Sequence, residues 1–207
     1  MKILRNLVFC LATLLPAASY ADITPKDVVF STADKVIEKL RVSRPLSDEQ
    51  ANALVEEMIL PHLDFETFSK LTLGKYWKTA SPEQRTAFTH EFRSLLMRSY
   101  ATSLNSYTGQ RIEHVGERDE GNGRVLIQTQ LIRAEGPPIT VDYRLLQRDG
   151  SWKIYDVVIE GVSMVINYRS NFSTEIHRAG LDALIKQMAD RTIKASCVGA
   201  GAKKACS

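Results

Sequence analysis

The sequence lacks the short motifs with which most enzymes bind a substrate or a cofactor. It has no Gly-x-Ser-x-Gly elbow, no phosphate-binding loop and no dinucleotide fingerprint after a predicted strand. The histidines are scattered, without metal-ligand spacing, at His62, His90, His114 and His177. We therefore expect no catalytic residues, no cofactor and no metal site, and we expect each histidine to lie at the surface or at its boundary.

Long apolar runs are also missing, apart from a short one at the amino terminus. The stretch from Leu7 to Leu15 follows Lys2 and Arg5, and its length of about nine residues falls short of the roughly 20 that span a bilayer. Ser19 and Ala21 are the small residues that a signal peptidase recognises, so we predict a cleavable secretory signal. An uncleaved anchor or a buried helix is the alternative.

Cysteine is scarce in the chain and is confined to its two ends. We predict a leader (residues 1–21), a single domain (22–192) and a flexible tail (193–207) rich in Gly, Ala and Lys. Cys197 and Cys206 lie in that tail and could pair in an oxidising compartment. Their spacing is not Cys-x-x-Cys and no histidine is near, which favours a tail disulfide over a redox or metal site.

The sequence has little excess charge of either sign. The formal net charge is +3, and removal of the two basic residues of the leader lowers it to about +1, which argues against a nucleic acid as partner.

The sequence does contain a series of helix signals followed by a series of strand signals. Helix starts are predicted at Thr24, Ser47, Asp64 and Ser81, and the last of these helices is expected to run through Leu104 towards Gly109. Strands are predicted at Arg111 to Glu117, Arg124 to Arg133, Ile139 to Leu145 and Trp152 to Ile159, with Asp149-Gly150 as a hairpin turn, and Ser163 begins the final helices. Helices first and strands second predict an α+β fold, in which helices pack on a curved antiparallel sheet of about four strands.

Two carboxylates could form an acid–base pair. Asp142 and Asp156 lie on adjacent predicted strands and could approach each other. Asp142 alternates with Val141 and Tyr143 and shares its face with Arg144, so a solvated ladder of charges is the favoured interpretation. An isomerase or hydrolase built on this pair remains the enzymatic alternative.

A run of large apolar residues surrounds the last strand and the last helices. It includes Val157, Val158, Ile159, Val162, Met164, Val165 and Ile166. Such a run could be ordinary core or the lining of a pocket for a hydrophobic ligand, and the pattern alone does not separate the two. A protein adaptor whose apolar run is only core is therefore a further alternative.

The same region resembles a known protein family. The matching segments are Trp152 to Val157, Gly161 to Ser163, Asn167 to Phe172, Ile139 to Leu145, and the pattern Gln84, Arg85, Phe88, Phe92, Leu95, Leu96 and Tyr100. Together they resemble the MlaC family of periplasmic phospholipid shuttles, also called the toluene-tolerance auxiliary family. The resemblance covers roughly Thr24 to Asp190, and it does not extend to the tail.

The resemblance implies a cone-like fold related to nuclear transport factor 2, with a deep apolar cavity that holds phospholipid acyl chains. It implies a monomeric carrier in the periplasm that maintains the lipid asymmetry of the outer membrane. It also implies two partners: an outer-membrane lipoprotein–porin complex, and an inner-membrane ABC transporter with its membrane-anchored hexameric subunit.

We expect the lipid-binding residues to come from three places. One wall is expected from the sheet residues Val141, Tyr143, Tyr155 and Val157; another from Leu96, Tyr100 and Leu104 of the long helix; and the mouth or floor from Val162, Met164, Val165 and Tyr168. Tyrosine suits a rim where acyl chains meet water. Arg169 could face a phosphate or form a structural ion pair.

Overall fold

The chain folds into helices and one antiparallel sheet. The computed structural model describes residues 23–43 and 45–191, without the side chain of Thr102. Its α-helices are α1 (Pro25–Val42), α2 (Asp48–Leu54), α3 (Phe65–Leu73), α4 (Lys75–Thr79), α5 (Pro82–Tyr100), α6 (Met164–Ala179) and α7 (Leu181–Ala189). Its strands are β1 (Arg111–Gly121), β2 (Arg124–Ile132), β3 (Ile139–Arg148), β4 (Ser151–Ile159) and β5 (Val162–Ser163). The predicted leader and the tail with its two cysteines lie outside the described residues. Among the described residues, no helix has the length and the apolar character needed to cross a membrane.

The five strands are hydrogen-bonded in the order β1-β2-β3-β4-β5, so every neighbour in the sheet is also a neighbour in sequence. The β3–β4 hairpin turns at Asp149 and Gly150, both at positive φ (49° and 75°), as its two-residue signal predicts. The α+β prediction is therefore confirmed. The sequence did not indicate β5, because a strand of two residues carries no alternation.

Capping side chains fix the helix starts where the sequence predicted them. Thr24, Ser47 and Ser81 each accept a hydrogen bond from the main-chain N–H three residues on, and the side chain of that third residue returns the contact. The end of α5 differs from the prediction. Its α-helical geometry stops at Tyr100, and a 3₁₀ segment (Ala101–Ser106) continues to the loop before β1.

The helix that begins at Asp48 changes type along its length. After α2 it widens into a π-helix (Val55–Ile59) and then tightens into a 3₁₀ turn (Leu60–His62). The side chain of Asn105 holds the entrance to this helix, because it both accepts from Leu46 N and donates to Leu46 O at 2.9 Å. Beyond its other end, Asp64 N donates to Ile154 O of β4 at 2.8 Å.

The interior is divided into three hydrophobic clusters. The first joins α3, α5, α6 and α7, and Phe92 at its centre packs against four other aromatic rings with centroids 5.1 to 5.6 Å away. The second joins α1, α2 and the 3₁₀ segment after α5. The third lies where Val28 and Val29 of α1 cover one face of the sheet. The aromatic ring pairs of the first cluster add to the stability that area burial alone supplies.

Asp156 joins the sheet to α6 and is almost completely buried, with 2% of its surface exposed. Arg144 Nη1 donates to its Oδ2 at 3.1 Å, Ser163 Oγ donates to the same oxygen at 2.6 Å, and Val165 N donates to Oδ1 at 3.0 Å. The predicted solvated ladder is therefore wrong for Asp156. Nor does Asp156 oppose Asp142, because its register partner is Arg144.

A bulge in β4 sets this register. Leu145 pairs with Ile154 and Arg144 pairs with Asp156, so Tyr155 is the extra residue. The bulge reverses the alternation of β4, and it leaves Val157 on the face that Ile154 occupies. A similar irregularity interrupts β1 between His114 and Gly116. Bulges of this kind bend a sheet and cannot be located from apolar alternation.

We predict that Asp156→Ala lowers the free energy of unfolding by about 3 kcal/mol, because it removes the buried partner of Arg144 and of the first turn of α6. Glu113→Ala is the matched control, since Glu113 pairs with Arg111 at an exposed site, and its cost should stay below about 0.5 kcal/mol. Urea denaturation followed by circular dichroism measures both. Equal losses in the two variants would contradict the role given to Asp156.

Candidate functional site

Half-buried apolar residues mark the borders at which the three clusters meet. Val157 packs against the first and third clusters, Phe65 against the first and second, and Leu63 against the second and third. We call these three residues, together with the half-buried Tyr100, Leu104, Val141 and Tyr143, the seam. Its members come from both the sheet and the helices, and all of them are apolar or aromatic.

The sheet side of the seam is built by register. Tyr143 pairs directly with Val157, and Val141 pairs with Ile159, so these side chains share the face that α1 covers further along. Tyr155 does not belong to this group, and its role as a wall residue stays a prediction. As the bulged residue it lies beside Asp156, and the guanidinium of Arg124 lies over its ring, 5.5 Å from the centroid.

The helix side of the seam comes from the end of α5. Tyr100 packs against the first cluster, and Leu104 of the following 3₁₀ segment packs against the second. Leu96, one turn earlier, is buried within the first cluster itself. Two of the three predicted helix residues are thus half-buried, each against one cluster, and the third lies in the packed interior.

The residues predicted for the mouth or floor divide into two groups. Met164, Val165 and Tyr168 are buried within the first cluster, whereas Val162 is 46% exposed on β5. Arg169 is exposed, and its Nε donates to Leu71 O at 2.7 Å. The ion pair considered for Arg169 is not formed with any carboxylate among the described residues.

The tyrosines of the seam are held in their neutral form. Burial, with the neighbouring charge of Asp142 adding to it, raises the pKa of Tyr143 to about 12. Burial also raises the pKa of Tyr100, and a hydrogen bond with Tyr168 partly opposes that shift. The seam therefore carries no charge of its own at neutral pH.

The remaining surface offers clefts of mixed character. They include one of about 580 Å³ beside Trp77, Arg85 and Arg93, and one of about 430 Å³ beside Tyr155 and Arg169. Within the residues the structure describes, no group of three or more His, Cys, Asp or Glu side chains could hold a metal ion. The deep apolar cavity stays a prediction.

Sequence reasoning missed two of the seam residues. Leu63 and Phe65 flank the N-cap of α3, where the chain also forms a bridge from Leu63 to Ile154 of β4. Their apolar character was visible in the sequence, but the π-helix and the 3₁₀ turn that precede them were not. A sequence of apolar residues interrupted by Pro61 gives no sign of such a change in helix type.

Comparisons with known proteins agree with one another. The sequence model of the family described as MlaC protein matches residues 31–190. The intermembrane phospholipid transport system binding protein MlaC of Haemophilus influenzae is 31% identical over 184 residues, 86% of each chain. Toluene tolerance protein ttg2D of Pseudomonas putida is 27% identical over 200 residues, 94% of this chain and 93% of that protein. A phospholipid-binding protein from Ralstonia solanacearum, solved in complex with a phospholipid, superposes with a TM-score of 0.74 at 27% identity, covering 83% of this chain and 97% of that one.

Ionisation of Tyr143 should cost stability, and the sign follows from its raised pKa. The neutral form is favoured in the folded state, so this stability is complete below pH 10, where a free tyrosine ionises, and is lost as the pH rises towards about 12. Tyr143→Phe should therefore lose less stability than the unchanged protein between pH 10 and 12. Urea denaturation at a series of pH values measures this. If the free energy of unfolding fell equally with pH in the two proteins, the burial of this phenol would be contradicted.

Proposed function

The chain belongs to the MlaC protein family, and from this premise we propose that it is a carrier of phospholipid and not an enzyme. In this proposal it holds the acyl chains at the seam and moves the lipid through the periplasm. The observation that carries the proposal is the seam itself, seen together with a structural neighbour that was solved with a phospholipid bound.

The energetic requirement for such a carrier is large. A diacyl lipid has roughly 30 methylenes, and at about 0.8 kcal/mol each their transfer to water costs on the order of 25 kcal/mol. A carrier must replace most of that burial with its own apolar surface. Packed clusters such as the first one offer no space, because their aromatic rings already fill it.

The seam meets this requirement better than any cluster does. Its residues are apolar but only half buried, so they have contact surface left for acyl chains. Separation of the clusters along the seam would enlarge that surface and leave each cluster intact. Tyr100 and Tyr143 supply rings that can lie along an acyl chain, and their raised pKa values keep them uncharged there.

The enzymatic alternative finds no support at its proposed carboxylates. Both oxygens of Asp156 accept hydrogen bonds from structural donors, and its partner across the strands is Arg144, not Asp142. A general acid or base needs a carboxylate that can reach a substrate, and Asp156 is enclosed.

The wider role follows from the family and extends the proposal. The carrier would exchange lipid between an outer-membrane lipoprotein–porin complex and an inner-membrane ABC transporter with its membrane-anchored hexameric subunit. It would thereby help to maintain the lipid asymmetry of the outer membrane. The predicted secretory signal supplies the route to the periplasm, and a monomer suffices for the task.

Native mass spectrometry of the protein purified from cells tests the cargo. We expect co-purified phospholipid at a defined stoichiometry, and we expect Val157→Asp to reduce it at least tenfold because a charge at the seam opposes apolar burial. Val115→Asp is the matched control, since Val115 is exposed on β1. Val157→Phe, which stays apolar but narrows the seam, keeps the test valid if the charged variant does not fold. Undiminished lipid in both seam variants would overturn the assignment.

Release of the lipid requires that the seam can open, and the two non-α segments beside it are where we expect movement. Leu104 lies in the 3₁₀ segment, and the π-helix carries the half-buried Met58 and Ile59. Both helix types are less favourable than α-helix and often mark functional hinges.

A reversible crosslink tests this movement. In a protein with Cys197→Ser and Cys206→Ser, the pair Leu46→Cys and Asn105→Cys would join the start of the helix to the 3₁₀ segment where Asn105 now clamps Leu46. We expect the oxidised protein to keep its lipid but to exchange it with vesicles at least tenfold more slowly than the same protein after reduction. Equal exchange rates in the two states would show that these segments need not separate.

A further inference from the structure

A second cleft lies on the other side of β4, where the sheet meets the first turn of α6. We call it the arginine cleft; its volume is about 430 Å³, and its lining includes Glu120, Arg124, Arg144, Tyr155, Asp156 and Arg169. Three arginines and two carboxylates give it one net positive charge. It does not include any residue of the seam.

The carboxylates of the cleft are already occupied. Arg144 Nε donates to Glu120 at 3.1 Å and Arg144 Nη1 donates to Asp156 at 3.1 Å. Glu120 also accepts from Arg118 at 3.1 Å. The charge of Arg144 is therefore compensated within the cleft. Because both carboxylates already pair with Arg144, Arg124 and Arg169 have no carboxylate partner in the cleft.

Arg169 is held in place by uncharged groups. Its Nε donates to Leu71 O at 2.7 Å, and its side chain passes over Gly74, where a Cβ would lie 3.4 Å from Arg169 Cδ. Gly74 has a φ of +55°, a conformation that favours glycine and keeps the approach open. The Nη groups have no carboxylate within ion-pair distance in the described part of the chain.

Arg124 is held in a similar way. Its guanidinium lies over the ring of Tyr155, 5.5 Å from the centroid, and it too forms no ion pair with any described carboxylate. A cation–π contact of this kind leaves the N–H donors of the guanidinium available for an acceptor. The cleft thus holds two guanidinium groups that each contact an uncharged neighbour and form no ion pair with a described carboxylate.

We propose that the arginine cleft binds a phosphate group. Guanidinium groups bind phosphate through paired N–H donors, and a concave site with two of them suits one compact anion better than a flat surface. Arg148, which lies in a different cleft, contrasts with these two arginines because it pairs with both Asp64 and Glu66. The phosphate could come from the headgroup of the cargo, which rests on the proposed function, or from a soluble phosphate ester.

Calorimetric titration of the delipidated protein with glycerol 3-phosphate tests the site directly. We expect saturable binding, weakened about tenfold in Arg124→Gln and in Arg169→Gln, and abolished in the double variant. Arg111→Gln is the matched control, since Arg111 pairs with Glu113 outside the cleft.

Repetition of the titration with lipid-loaded protein separates the two sources. Loss of binding in the loaded protein identifies the headgroup as the natural occupant, and unchanged binding identifies a separate soluble ester; both support the site. Titration with a glutamate-rich peptide covers the competing occupant, an acidic protein. Binding of that peptide but not of glycerol 3-phosphate overturns the proposal, as does phosphate binding that the double variant leaves unchanged. Co-purified lipid is scored independently, so a failed phosphate site leaves the carrier function standing.

Discussion

The buried carboxylate of Asp156 is the interaction on which the arrangement of sheet and helices depends. It receives donors from β3, from the residue that caps α6 and from the first turn of α6 itself. The strand that carries Asp156 also presents Val157 to the opposite face, so one short segment anchors α6 on one side and forms the seam on the other. A carboxylate with three donors is stable when buried, whereas the same group with one donor missing is costly.

The division of the interior into clusters has a physical meaning for a carrier. A single continuous core would have the density of a crystal and no place that separates at low cost. Here the aromatic packing around Phe92 is concentrated in the first cluster, while α1 covers the sheet through the smaller third cluster. Stability and adaptability therefore reside in different parts of the same domain, and the seam is the border between them.

Much of the fold was predictable because its signals are local. The caps at Thr24, Ser47 and Ser81 and the Asp149-Gly150 turn each act within a few residues, and each was found where the sequence placed it. The site was less predictable because it depends on register. The bulge at Tyr155 reverses the alternation of β4, which moved Tyr155 away from the seam and into the arginine cleft. The pairing of Arg124 with that ring, and of Arg169 with Gly74, joins residues about 30 to 95 positions apart, beyond the reach of any local pattern.

The position of β1 at the end of the strand order has a consequence for the proposed carrier. An edge strand of eleven residues offers unpaired main-chain groups to any other edge it meets. Strand β1 has few apolar residues and carries the charged residues Arg111, Glu113, Glu117 and Arg118. The register shift after His114 also interrupts its regular pairing. Charge and distortion of this kind discourage strand addition and hence fibrous aggregation. A chain that opens its apolar interior to exchange cargo would otherwise be exposed to that hazard in every cycle.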